Sequence, residues 1–83
     1  MKIFLTTKAD RQLRNLPFKM YTLLLVRIEE LENSPFPSQS KKLTGREGFR
    51  LRVGDYRILY TVDTGKKEVT ILSVAHRKEA YRR

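Results

Sequence analysis

The chain has no cysteine and a single histidine, His76, in 83 residues. Without cysteine there can be no disulfide framework, no thiolate zinc site and no cysteine nucleophile. One histidine is too few for an all-protein multi-histidine metal centre. Long apolar runs are missing too. Leu23–Val26 is four residues, far short of the roughly 20 that cross a bilayer. Met1–Leu5 has neither the apolar length nor the small-residue cleavage site of a signal peptide, so a cytoplasmic protein with no membrane partner is expected. The nine acidic residues are scattered and offer no paired-carboxylate site. No P-loop and no Ser/His/Asp set can be assembled either. The length admits one domain, residues 1–83, of modest stability and without room for a large cofactor-binding architecture. No metal and no cofactor are expected.

What the chain does have is positive charge. Eighteen Lys and Arg against nine Asp and Glu give a net charge of +9 and a pI near 10.3. Residues 1–40 hold six basic and four acidic residues, whereas residues 41–83 hold twelve and five. The excess therefore belongs to the C-terminal half, and a field of that kind attracts polyanions, most often nucleic acid. With 40% hydrophobic residues the chain has enough apolar material for a core.

Ile3-Phe4-Leu5 reads as a short strand. Thr7 is a candidate N-cap, and Ala9, Leu13 and Leu16 follow at helical spacing until Pro17 ends the helix. Met20, Leu24, Ile28 and Leu31 make the stripe of a second helix over Phe18–Asn33, which Asn33-Ser34-Pro35 stops. Residues 34–48, with two prolines, three serines and two glycines, read as a loop. From Phe49 the period becomes 2. Gly54-Asp55 is a two-residue hairpin turn, Tyr56–Val62 the return strand, Asp63–Lys66 a second turn and Glu68–Val74 a last strand. Residues 75–83 read as a polar tail with one or two helical turns. The expected fold is α+β: a β-α-α-β-β-β two-layer arrangement, an antiparallel sheet with the two N-terminal helices packed on one face.

A two-residue loop sets Val53 against Tyr56, Arg52 against Arg57 and Leu51 against Ile58. Phe49, Leu51, Val53, Tyr56, Ile58, Tyr60, Val69 and Ile71 then share the core face. Arg50, Arg52 and Arg57 share the other, with Leu59, Thr61, Thr70 and Leu72. Like charges directly opposite one another destabilise a sheet, so three arginines on one face suggest a shared anion such as a phosphodiester, which the planar guanidinium binds in a bidentate way. His76-Arg77 follows the last strand and Tyr81 lies just beyond. Arg, His and Tyr around a phosphodiester can deprotonate a 2′-hydroxyl, hold the pentavalent phosphate and protonate the leaving oxygen without metal. Lys41, Lys42, Arg46, Lys78, Arg82 and Arg83 are further candidate nucleic-acid contacts.

The segment from Phe49 to Tyr60 (FRLRVGDYRILY) and the segment from Ser73 to Tyr81 (SVAHRKEAY), together with Lys42-Leu43-Thr44-Gly45, resemble the RelE/ParE superfamily of bacterial and archaeal toxins. The resemblance runs from about Lys2 to Arg82 and rests on the R-V-G-D-Y-R and H-R-x-x-x-Y patterns taken together. It implies a RelE-like fold and the toxin half of a type II toxin–antitoxin pair. RelE-like members are ribosome-dependent mRNA endonucleases acting in the A site, where attack by the 2′-hydroxyl leaves a 2′,3′-cyclic phosphate. An antitoxin neutralises them by wrapping them. By resemblance Arg50 and Arg52 are the family's basic pair, Arg57 stabilises the transition-state phosphate, Arg77 is a phosphate ligand or proton donor, and Tyr81 stacks on or orients the nucleotide. His76 falls where members vary.

The best-studied RelE pattern has lysines where this chain has Arg50 and Arg52. Arginine is a poor general base because it keeps its proton, so the resemblance leaves that role to His76, or to Tyr81 with its pKa lowered by neighbouring arginines. Two other functions are compatible with the sequence: a ParE-like inhibitor of DNA gyrase without catalysis, and a non-catalytic nucleic-acid-binding module. The retained basic set with Tyr81 favours the nuclease.

Overall fold

A computed structural model describes the backbone of residues 1–80 and the side chains through Lys78. Its elements are β1 (Lys2–Leu5), α1 (Thr7–Arg14), α2 (Phe18–Glu30), β2 (Ser40–Lys42), β3 (Phe49–Val53), β4 (Tyr56–Asp63), β5 (Glu68–His76) and α3 (Arg77–Ala80). One five-stranded sheet in the order β1-β5-β4-β3-β2 carries the two long helices on its apolar face, an α+β two-layer fold. No helix among the described residues is long and apolar enough to cross a membrane.

The helices begin and end where local chemistry requires. The cap of α1 is Thr6 rather than Thr7: its side chain accepts the Ala9 N–H at 3.1 Å. Pro17 stands at the start of α2 with the ring-fixed φ of −55°, a non-helical ψ of 150° and no side-chain cap. The helix stops at Glu30, three residues earlier than its sequence pattern suggests. Leu24, Ile28 and Leu31 of the stripe are buried against Leu51, Val53, Ile58, Tyr60, Val69, Ile71 and Val74. Each such side chain contributes about 1.5–3 kcal/mol on full burial.

The hairpin register is the one the turn demands. Val53 pairs with Tyr56, Arg52 with Arg57 and Leu51 with Ile58. Gly54 takes a φ of 59°, a left-handed value that glycine adopts without steric cost.

Three features of the sheet differ from the sequence expectation. The sheet is mixed, because β1 pairs parallel with β5; a period-2 pattern assigns faces and says nothing of a strand's neighbour. Residues 40–42, inside the expected loop, form β2 against β3. The approach to β2 is held down by an aromatic row, Phe36 on Phe49 at 5.0 Å and Phe49 on Tyr60 at 5.6 Å. The Tyr60 hydroxyl donates to the Pro35 carbonyl at 2.8 Å, and burial raises its pKa above the ordinary 10.0.

The third feature is a bulge. Tyr60 pairs with Ile71, but Leu59 pairs with Ser73, so Leu72 is an extra residue in β5. An inserted residue reverses which face the following residues meet. Val74 therefore turns into the core, while Ser73 and Ala75 turn outward beside Leu59 and Arg57. The cap of α1 and a side chain of its second half secure this stretch, which β1 is too short to cover: Thr6 Oγ1 donates to the Leu72 carbonyl at 2.9 Å, and Gln12 Oε1 accepts the Val74 N–H at 2.6 Å.

Candidate nucleic-acid interface

On the sheet face away from the long helices, cross-strand pairing builds two basic rows. Lys41 of β2 stands opposite Arg50 of β3, and Arg52 of β3 stands opposite Arg57 of β4. Directly opposed residues share a face with Cβ atoms about 4.5–5.5 Å apart. Four cations thus occupy adjacent positions, with no acidic residue in either row. The smaller Ser73 and Ala75 extend the rows on the β5 side.

The four cations are not equivalent. Arg52 is exposed and Arg50 half-buried, whereas Arg57 is only 7% exposed and is the one buried charged side chain among the described residues. A guanidinium set into a sheet is held in place before any ligand arrives. It also sits where the local dielectric is low and an anion is attracted more strongly than in water. Between the rows and the chain entering β2 lies a groove of about 370 Å³ lined by Ser38, Gln39, Lys41, Arg50, Arg52 and Gly54. A larger cavity, about 560 Å³, opens on the helix side of β3 between Leu23, Arg27, Leu51 and Val53, and Arg52 borders it as well.

Arg77 reaches the same end of the sheet. Its N–H donates to the Asp55 carbonyl in the hairpin turn at 2.6 Å. Its guanidinium lies 4.0 Å from the Asp55 carboxylate, with 62% of the side chain exposed, a pair that contributes little to stability.

The remaining sequence candidates are dispersed. His76 does not join the arginines. The bulge at Leu72 puts it opposite Tyr56, whose ring it meets edge-on at 5.2 Å and 80°, on the helix side of β5. Reading an unbroken alternation through β5 keeps His76 in phase with Thr70 on the outer face. The adjacent Ile71-Leu72 followed by polar Ser73 and apolar Val74 is the sequence signal of the phase change. Lys42 pairs with Phe49 on the other phase of β2. Arg46 is exposed in the loop between β2 and β3, and Lys78 is exposed on α3. Tyr81, Arg82 and Arg83 lie outside the described residues. Lys41 gains most from the structure, since β2 makes it a direct neighbour of Arg50. Among the described residues no three His, Cys, Asp or Glu side chains are grouped to hold a metal ion.

Residues 3–81 match the family described as the ParE toxin of type II toxin–antitoxin systems. The chain belongs to that family and so to the RelE/ParE superfamily. It is 32% identical over 82 residues to a protein named Toxin RelE from Mycobacterium tuberculosis, covering 96% of this chain and 84% of that one. Among solved structures it is similar to the toxin–antitoxin complex RelBE2 of M. tuberculosis, with a TM-score of 0.83, 32% identity and coverage of 92% of this chain and 96% of that chain. It is also similar to the archaeal RelE-RelB complex of Pyrococcus horikoshii, with a TM-score of 0.82, 29% identity and coverage of 92% and 93%. As a member of this superfamily the protein is a type II toxin. The two basic rows belong to the part of the chain matched by the family.

Proposed function

We propose that this toxin is a metal-independent mRNA endonuclease that acts on messages held by the ribosome and is neutralised by a cognate antitoxin. The observation that carries the reading is the pair of opposed basic rows with Arg57 buried among them. Like-charged neighbours cost stability, and an anion bridging them removes that cost. Arg57 would bind the non-bridging oxygens of the scissile phosphate, where charge grows in the transition state. Arg50, Arg52 and Lys41 would hold the flanking backbone, and Arg77 would close the site from the turn end. The RNA's own 2′-hydroxyl attacks phosphorus, the bond to the 5′-oxygen breaks, and the products are a 2′,3′-cyclic phosphate and a 5′-hydroxyl. Proton transfer falls to Tyr81, which follows α3 in sequence, since arginine does not exchange its proton near neutral pH.

Similarity to a protein named RelE and to toxin–antitoxin complexes supports this reading over gyrase inhibition and fits an antitoxin partner. A domain of 83 residues offers little surface for reading sequence beyond this face, so placement of the message is assigned to the ribosome. Primer extension on translated messages after brief expression in cells tests the proposal. Discrete cuts at codon positions are expected. Intact messages accompanied by gyrase-linked double-strand breaks would overturn it.

A further inference from the structure

β5 passes into α3 with no loop between them: His76 ends the strand and Arg77 opens the helix. A helix start leaves its first backbone N–H groups without intrahelical acceptors. Here the His76 Nδ1 accepts the Lys78 N–H at 3.1 Å, which is how an N-cap side chain satisfies the amide two residues on. The same ring stands edge-on to Tyr56, its cross-strand partner, at 5.2 Å. Tyr56 follows the turn whose Asp55 carbonyl accepts the Arg77 N–H at 2.6 Å. These contacts together fasten the first turn of α3 to the hairpin at the basic end of the sheet.

We infer that His76 is a positioning residue: its imidazole caps α3 and anchors it on Tyr56, so that Arg77 is presented at the end of the arginine rows. It does not transfer the proton in the reaction. An imidazole whose Nδ1 accepts an amide proton carries its own proton on Nε2 and has its orientation fixed by that bond. Its phase in β5 also puts the sheet between the ring and Arg57. The cap stands on geometry alone, whereas its effect on activity rests on the cleavage reading above.

His76→Asn and His76→Ala in the full chain separate the roles. Asparagine is among the best N-cap residues and places Oδ1 where Nδ1 lies, yet it cannot act as an acid or base near neutral pH. Hydrogen exchange of the Lys78 amide is expected to be about fivefold faster in His76→Ala, the size of a lost cap, and to return to the wild-type rate in His76→Asn. Message cleavage should fall in the alanine variant and recover in the asparagine variant in parallel. Unchanged Lys78 exchange in His76→Ala overturns the cap. A protected Lys78 amide with no cleavage in His76→Asn overturns the positioning role and returns His76 to proton transfer. If the wild-type chain cuts no message, the cleavage reading falls, while the exchange series still decides the cap.

Discussion

The two faces of the β3–β4 hairpin are made by alternate residues of the same two strands, yet they do opposite things. Toward the helices, Leu51, Val53, Ile58 and Tyr60 are buried against apolar neighbours. Away from them, Arg50, Arg52 and Arg57, with Lys41 alongside, set like charges side by side. One face supplies folding free energy and the other works against it. The difference marks the outer face as the candidate site. A surface that costs stability is retained in a small domain only where something other than folding needs it. Substitutions should therefore separate cleanly: inner changes unfold the protein, and outer changes disarm it.

The largest effect belongs to the inner face. Ile58 is fully buried in the central strand, and Ile58→Ala should lower stability by about 3 kcal/mol, against a total of roughly 4–12 kcal/mol for a chain of this size. Denaturant unfolding should show a lower midpoint with an unchanged slope. A loss under about 1 kcal/mol would mean that the site collapses around the cavity, and the contrast between the faces would weaken.

Its neighbour in sequence, Arg57, should behave in the reverse way. Arg57→Met keeps a buried, unbranched apolar chain along most of the arginine stem and removes the charge facing Arg52. Stability should then stay within about 1 kcal/mol of wild type, since an apolar chain keeps the packing of the arginine stem and the like charge opposite Arg52 is gone. Cleavage should fall at least about 100-fold, the scale for losing one preorganised donor to a transition-state oxyanion. Full activity in this variant removes Arg57 from the phosphate site. A stability loss near that of Ile58→Ala makes Arg57 a structural residue.

Much of this contrast was legible in the sequence because two local rules suffice for it. Alternation from Phe49 sorts the residues between faces, and a two-residue turn at Gly54-Asp55 leaves one register open to the flanking strands. Pro17 likewise marks the break between the two helices. What was not legible depends on contacts distant in sequence. β2 is three polar residues with no apolar alternation of their own, placed by Tyr60 and Phe49 holding Pro35 and Phe36. The parallel pairing of β1 joins residues more than 60 positions apart. The bulge at Leu72 is supported by Thr6 and Gln12 on another element, and it alone moves His76 off the arginine face. The outer-face arginines followed from short-range rules; the placement of His76 on the other face followed from long-range packing.

The smallest expected effect is also the most direct probe of the like-charge argument. Arg52 is exposed and faces Arg57 across the ladder. Arg52→Thr replaces one member of the repelling pair with a residue suited to strands, so stability should rise by a few tenths of a kcal/mol. RNA affinity should fall at the same time, and the slope of log affinity against log salt should become shallower by nearly one, as expected when one phosphate contact is lost. Unfolding midpoints together with fluorescence anisotropy across a salt series measure both on the same protein. The inner neighbour supplies the control: Leu51→Thr places a hydroxyl in the core and should destabilise the domain while leaving the salt slope of the folded protein unchanged. A drop in stability for Arg52→Thr would show that the opposed arginines do not repel in the free protein, and the reason for assigning an anion to this face would be lost.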